Sequence, residues 1–167
     1  MNKTIFVILG LTTVLLADYS RDDINDVVTD TTTHLQWQDT SDVNVTQRPW
    51  IDSIDYCEAL TLGGYEDWRL PNINELLSIS DKYKTTAPAI DVEFKYVAYS
   101  PQDLGKYNTL YWSSTSSDEL KSGETDERAY TVNFNYGDEF SYWGASGSSD
   151  EQTKKTTPNY VRCVREE

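Results

Sequence analysis

Five carboxylates crowd one polar run of the chain: Asp118, Glu119, Glu124, Asp126 and Glu127. Asp138 and Glu139 follow a little further on. Hard oxygen donors in such a set can hold Ca²⁺, although EF-hand spacing is absent and a solvated acidic loop is the plain alternative. Two carboxylates at a suitable separation could also hydrolyse a glycosidic bond, but a separation is not readable from sequence. Tyr136, Tyr142 and Trp143 lie on or beside the segment that carries Asp138. Aromatic faces next to a carboxylate suit stacking on sugar rings and hydrogen bonding to their hydroxyls, or anchoring a protein partner. Packing into a core is the competing reading for Tyr142 and Trp143.

Other chemistries find less support. His34 is the only histidine, and neither Ser113 nor Ser114 sits in the strained GxSxG turn of a hydrolase nucleophile. One histidine also falls short of a zinc ligand set. Arg69 is read as a structural ion-pair partner of Glu75 or Asp67. With 28 acidic against 14 basic side chains the formal charge is −14, which excludes a phosphate-binding surface and with it nucleic acid as partner. Five Trp, 12 Tyr and four Phe are too many aromatics for a disordered acidic tail.

The first 17 residues are an address. Lys3 precedes an apolar run, Ile5 to Leu16, and Ala17 supplies a small residue before Asp18. The run would span roughly 18 Å as a helix, short of the ~30 Å needed to cross a bilayer, so it reads as a signal peptide and the mature chain is expected to have no membrane span; an uncleaved membrane-tethering segment is the alternative. Cleavage after Ala17 removes Lys3, the one charged side chain there, and takes the charge from −14 to −15. The expected location is secreted, periplasmic or cell-surface. In an oxidising compartment an even cysteine count suggests a disulfide, here Cys57 with Cys163. Reactive thiols or half a metal site are the alternatives, although neither cysteine lies in a CxxC or beside a histidine.

The elements that must position these residues follow from pattern. Residues 18–26 read as a polar leader. Val27–Asp30 and Leu35–Gln38 flank a turn-prone Asp30-Thr31-Thr32-Thr33 and predict a β-hairpin. Pro49 opens a helix with Trp50, Ile54, Cys57 and Leu60 or Thr61 on one face, stopped by Gly63-Gly64. Trp68-Arg69-Leu70 is extended before Pro71. Asn72 and Glu75 have capping-box spacing ahead of a second short helix carrying Ile73, Leu76, Leu77 and Ile79. Residues 81–109 read as a long irregular connection, packed in part through Ile90, Phe94 and Tyr96. Leu110–Ser113 reads as a strand. Ala129–Phe134 alternates, with Tyr130, Val132 and Phe134 on one face, and pairs with Glu139–Trp143 in a second hairpin. A polar stretch, 144–158, precedes a last strand over 160–164. The class is α+β: a small antiparallel sheet, two flanking helices and long irregular loops.

Placed in order, Val28-Thr29-Asp30, Leu35-Gln36-Trp37-Gln38-Asp39, Tyr56-Cys57, Gly63-Gly64-Tyr65-Glu66-Asp67-Trp68-Arg69-Leu70-Pro71-Asn72, Tyr111-Trp112-Ser113-Ser114-Thr115 and Tyr160-Val161-Arg162-Cys163-Val164-Arg165 give residues 27–165 a close likeness to one family. The chain resembles the bacterial Lcl C-terminal domain family, a variant of the C-type-lectin-like fold. The resemblance implies first and last strands side by side, two flanking helices, and a disulfide from the first helix to the last strand. It also implies Trp37, Trp50, Trp68 and Trp112 in the core. Lectin relatives of this fold use an acidic loop to bring calcium onto sugar hydroxyls, but their Glu-Pro-Asn, Gln-Pro-Asp and Trp-Asn-Asp motifs are not found here. The adhesin typifying the family is associated with sulfated polysaccharides, which require a basic surface; at −15 this chain departs from that requirement. The expectation is therefore an exported, non-enzymatic binding or adhesion domain that meets a glycan or cell-surface protein through residues 81–127 and 136–143. The alternative is an envelope structural or assembly protein with a protein partner.

Overall fold

The computed structural model describes residues 19–100, 109–117, 127–135 and 151–167. They form an α+β fold, mostly sheet, with two helices. One sheet has four antiparallel strands in the order β1 (Tyr19–Asp22), β2 (Val27–Asp30), β3 (Leu35–Gln38) and β9 (Val164–Glu166). The second has five, in the order β4 (Gln47–Arg48), β8 (Asn159–Tyr160), β5 (Leu110–Ser117), β6 (Arg128–Asn133) and β7 (Glu151–Lys154). The helices are α1 (Trp50–Glu58) and α2 (Ile73–Ser78).

Several expectations hold. The opening hairpin is β2–β3, paired from Val27↔Gln38 to Asp30↔Leu35. Helix α2 starts at a complete capping box: Asn72 Oδ1 accepts from the Glu75 amide at 3.0 Å, and the Glu75 carboxylate accepts from the Asn72 amide at 2.8 Å. Both amides thereby gain an acceptor that the first turn cannot itself supply, which lets a helix of only six residues form. β3 lies between β2 and β9, so the last strand sits against the N-terminal hairpin.

The differences have physical causes. Residues 19–22, read as leader, add an edge strand that pairs with all of β2. There are two sheets rather than one small one, and β5 meets β8 in parallel. Helix α1 ends at Glu58, before Gly63-Gly64. Those glycines instead make a tight turn of their own, with φ of +62° and +82°, closed by mutual Leu62–Tyr65 backbone hydrogen bonds of 3.1 Å. Along 128–131 β6 pairs with β5 on one side and β7 on the other, while Glu139–Trp143, read as its hairpin partner, lies outside the described residues. Strand β7 arises inside the stretch read as polar connection. The final strand is split, because the chain leaves the five-stranded sheet after Tyr160 and joins the four-stranded one at Val164.

Two apolar clusters hold the layers together. One joins Val28, Leu35, Trp37 and Val164 of the four-stranded sheet to Leu76 of α2, to Ile90 and Phe94 of the 81–100 connection, and to Tyr111, Val132 and Phe134. The other surrounds the disulfide with Val27, Trp68, Leu70, Trp112 and Ala129. Tyr111 and Trp112 are neighbours in β5 and point to opposite faces, so this sheet is buried on both sides. Trp50 is half-buried, its Nε1 donating to the Ser113 carbonyl at 2.8 Å. Cys57 and Cys163 are bonded and wholly buried, which ties α1 to the residue preceding β9.

Candidate functional site

The outward face of the four-stranded sheet carries a row set by register: Ser20 opposite Thr29, Thr29 opposite Gln36, and Gln36 opposite Arg165. Cross-strand partners stand close enough for their side chains to act together. Gln36 Nε2 donates to Thr29 Oγ1 at 3.4 Å, and Gln36 Oε1 accepts from Arg165 Nη1 at 2.5 Å. The amide is thereby oriented, with its NH₂ end toward Thr29.

The Gly63-Gly64 turn rises beside this row and sets Tyr65 against it. The Arg165 guanidinium lies over the Tyr65 ring at 3.7 Å from the centroid, and its Nε donates to Asp67 Oδ1 at 2.7 Å. Hydrogen bonding from Arg165 holds the Asp67 carboxyl below the usual carboxylate range. The β1–β2 turn forms the opposite wall. There Asp22 accepts from the Asn25 side chain at 2.7 Å and from the amides of Ile24 and Asn25 at 2.9 and 3.2 Å, which lowers its pKa. Between the walls lies an open groove of about 210 Å³ whose polar lining includes Asp22, Asn25, Thr29, Gln36 and Tyr65. Tyr65 remains 46% exposed. These groups offer a carboxylate, two amides, a hydroxyl and a phenol, all capable of meeting hydroxyl groups.

A second polar constellation is internal. Asp39 is fully buried and accepts from Arg162 Nη1 at 2.8 Å, from Arg21 Nη1, and from the amides of Lys95 and Tyr96 at 2.8 and 3.2 Å. Arg162 also donates to the carbonyls of Gln38 and Tyr96, at 2.8 and 2.6 Å, and lies over the Phe94 ring at 4.9 Å. This knot fastens the 91–98 connection to the sheet, where a buried polar group must be paired. Nearby, burial pushes the Tyr111 phenol up to about 12; its hydroxyl accepts from the Ala98 amide at 2.6 Å.

The residues singled out from sequence fare differently. Tyr136, Asp138, Tyr142 and Trp143 lie outside the described residues, as do Asp118, Glu119, Glu124 and Asp126. Glu127 is described, and its carboxylate pairs with Lys155 Nζ at 2.9 Å. Among the described residues no group of three or more His, Cys, Asp or Glu is placed to hold a metal ion. Arg69 pairs with Glu75 through two bonds of 2.8 and 2.7 Å, while Asp67 pairs with Arg165 instead. His34 is exposed at the hairpin turn, its Nδ1 3.4 Å from Glu167 Oε2. The sequence reading does not single out the groove residues. Gly63-Gly64-Tyr65 is legible as a motif, but its glycines read there as a helix stop.

No helix among the described residues is long and apolar enough to cross a membrane. That and the disulfide are compatible with an exported protein. The sequence pattern that defines the Lcl C-terminal domain family matches residues 26–165. No curated protein matches the chain at a significant level.

Proposed function

The chain belongs to the Lcl C-terminal domain family, and from that premise we propose that it is an exported, non-enzymatic binding domain of C-type-lectin-like architecture that recognises a glycan or cell-surface ligand. The observation that carries the reading is the open polar groove beside Tyr65, whose lining is held by strand register and a tight turn. A preorganised surface of amide, hydroxyl and aromatic groups is suited to recognition, because little side-chain freedom remains to be lost on binding. The apolar tract over residues 5–16, followed by Ala17, supports export through a signal peptide. The acidic loop and the 136–143 segment extend the same reading: they would add aromatic and carboxylate contacts, with calcium if the loop takes it.

A protein partner is the second reading. Ile24 and Val92 are 93% and 78% exposed and belong to the two segments, the β1–β2 turn and the 91–98 connection, that an ion pair, Asp23 to Lys95 at 2.6 Å, draws together. Exposed apolar side chains beside a fixed pair are what an assembly contact would use.

A glycan array probed with residues 18–167, with calcium and again with chelator, tests the first reading. Binding to defined glycans supports it, and loss of that binding with chelator assigns the ligand to the acidic loop. A blank array under both conditions overturns glycan recognition in favour of a protein partner.

A further inference from the structure

We infer that the groove between the Gly63-Gly64 turn and the β1–β2 turn is a subsite for a single uncharged, hydroxyl-rich sugar ring; this rests on the glycan-binding reading and assigns it a place and a ligand class. Three observations converge. The first is chemical: Asp22, Asn25, Thr29 and Gln36 line the groove with groups that donate to and accept from vicinal hydroxyls, and Tyr65 supplies an aromatic edge. The second is size. A volume of about 210 Å³ corresponds to roughly seven waters, the scale of one sugar ring.

The third is charge. Arg165, the cation in contact with the lining residues Gln36 and Tyr65, is spent on Asp67, Gln36 and the Tyr65 ring. Asp22 stays ionised, held by Asn25 and two backbone amides. A sulfate or uronate placed here would face an unneutralised carboxylate while Arg165 is already engaged, so the groove discriminates against polyanions. Geometry adds rigidity. Thr29 and Gln36 are register partners on adjacent strands, and Gln36 is oriented by Arg165, so the amide meets a ligand without a rotamer search.

The test is amide chemical-shift mapping on the full chain, titrated with the methyl glycosides of glucose, galactose, mannose and N-acetylglucosamine. At least one should give saturable shifts centred on residues 22, 25, 29, 36, 63 and 65. Thr29→Val, which keeps the side-chain shape, should weaken that glycoside about three- to tenfold, the loss of one hydrogen bond. Tyr65→Ala should weaken it by about tenfold or more, with thermal melts confirming that both variants fold. Saturable shifts confined to other residues and unmoved by Thr29→Val would overturn the groove assignment while leaving the glycan-binding reading intact. The groove assignment also falls if no glycoside shifts these amides, and a blank glycan array would then remove the wider reading as well.

Discussion

Arg162 and Asp39 form an ion pair, Nη1 to Oδ1 at 2.8 Å, in which neither side chain is exposed. They lie 123 positions apart in the chain, so one bond joins the end of the opening hairpin to the approach of the last strand. Breaking a buried pair strands an uncompensated charge, which costs far more than the pair contributes net. Asp39→Asn should therefore destabilise the fold by about 3–5 kcal/mol and lower the melting temperature by about 6–20 °C. A thermal melt within about 2 °C of the parent would show that the knot is not stabilising, since that corresponds to no more than about 1 kcal/mol.

The disulfide fastens the approach of the last strand a second time, here to helix α1. Cys57 and Cys163 close a loop of 106 positions in the core of the second apolar cluster. Constraining so long an unfolded loop is worth about 4–5 kcal/mol in the chain-entropy model. The double variant Cys57→Ala/Cys163→Ala should lose about 2–5 kcal/mol by urea unfolding, and reductant should leave it unaffected while destabilising the parent.

Acid should act through Glu75. Burial disfavours its charge, but the Arg69 side chain and the Asn72 amide outweigh that and hold its pKa below the usual 4.5. A carboxyl with a lowered folded pKa contributes stability that is complete above pH 4.5 and is lost as the pH falls through the folded value. Glu75→Gln keeps the shape of the cap but cannot ionise. Between about pH 6 and about pH 3 the parent's melting temperature should therefore fall more than the variant's. Equal falls would mean that other carboxylates carry the acid response; Asp67, also lowered by its arginine, is the next to substitute.

A side chain at the first position of the Gly63-Gly64 turn should cost stability. Gly63 has φ of +62°, and a Cβ there would stand 3.6 Å from Asn25 Cβ and 3.7 Å from the Tyr65 ring. Contact at those distances is ordinary, so the cost of Gly63→Ala is backbone strain, about 1–2 kcal/mol. Its melt should show that loss without a change in cooperativity. An unchanged melting temperature would mean that the turn relaxes to another conformation.

Much of the fold is legible in local signals. The opening hairpin follows from two short segments that flank a threonine-rich turn, the second helix from Asn72 and Glu75, and the buried face of the first from the spacing of Ile54 and Cys57. Each signal is carried by residues within a few positions of one another. The family likeness rests on the same segments, and the family pattern matches over residues 26–165.

Long-range partners are another matter, because no segment carries them alone. Nothing local distinguishes the polar Tyr19–Asp22 or Glu151–Lys154 from loop; each becomes a strand because an edge of β2 or of β6 is there to pair with. Gly63-Gly64 reads as a helix stop from one side and as a hairpin turn only when Tyr65 is seen against Arg165, at the far end of the chain. Asp39 looks like any surface acid until Arg162 closes on it. The groove is the clearest case, since Asp22 and Asn25 of one turn, Thr29 and Gln36 of two adjacent strands and Tyr65 of another turn line it together only through strand register and turn geometry. Sequence carries the propensity of each segment, whereas a site assembled across strands exists only once those segments have met.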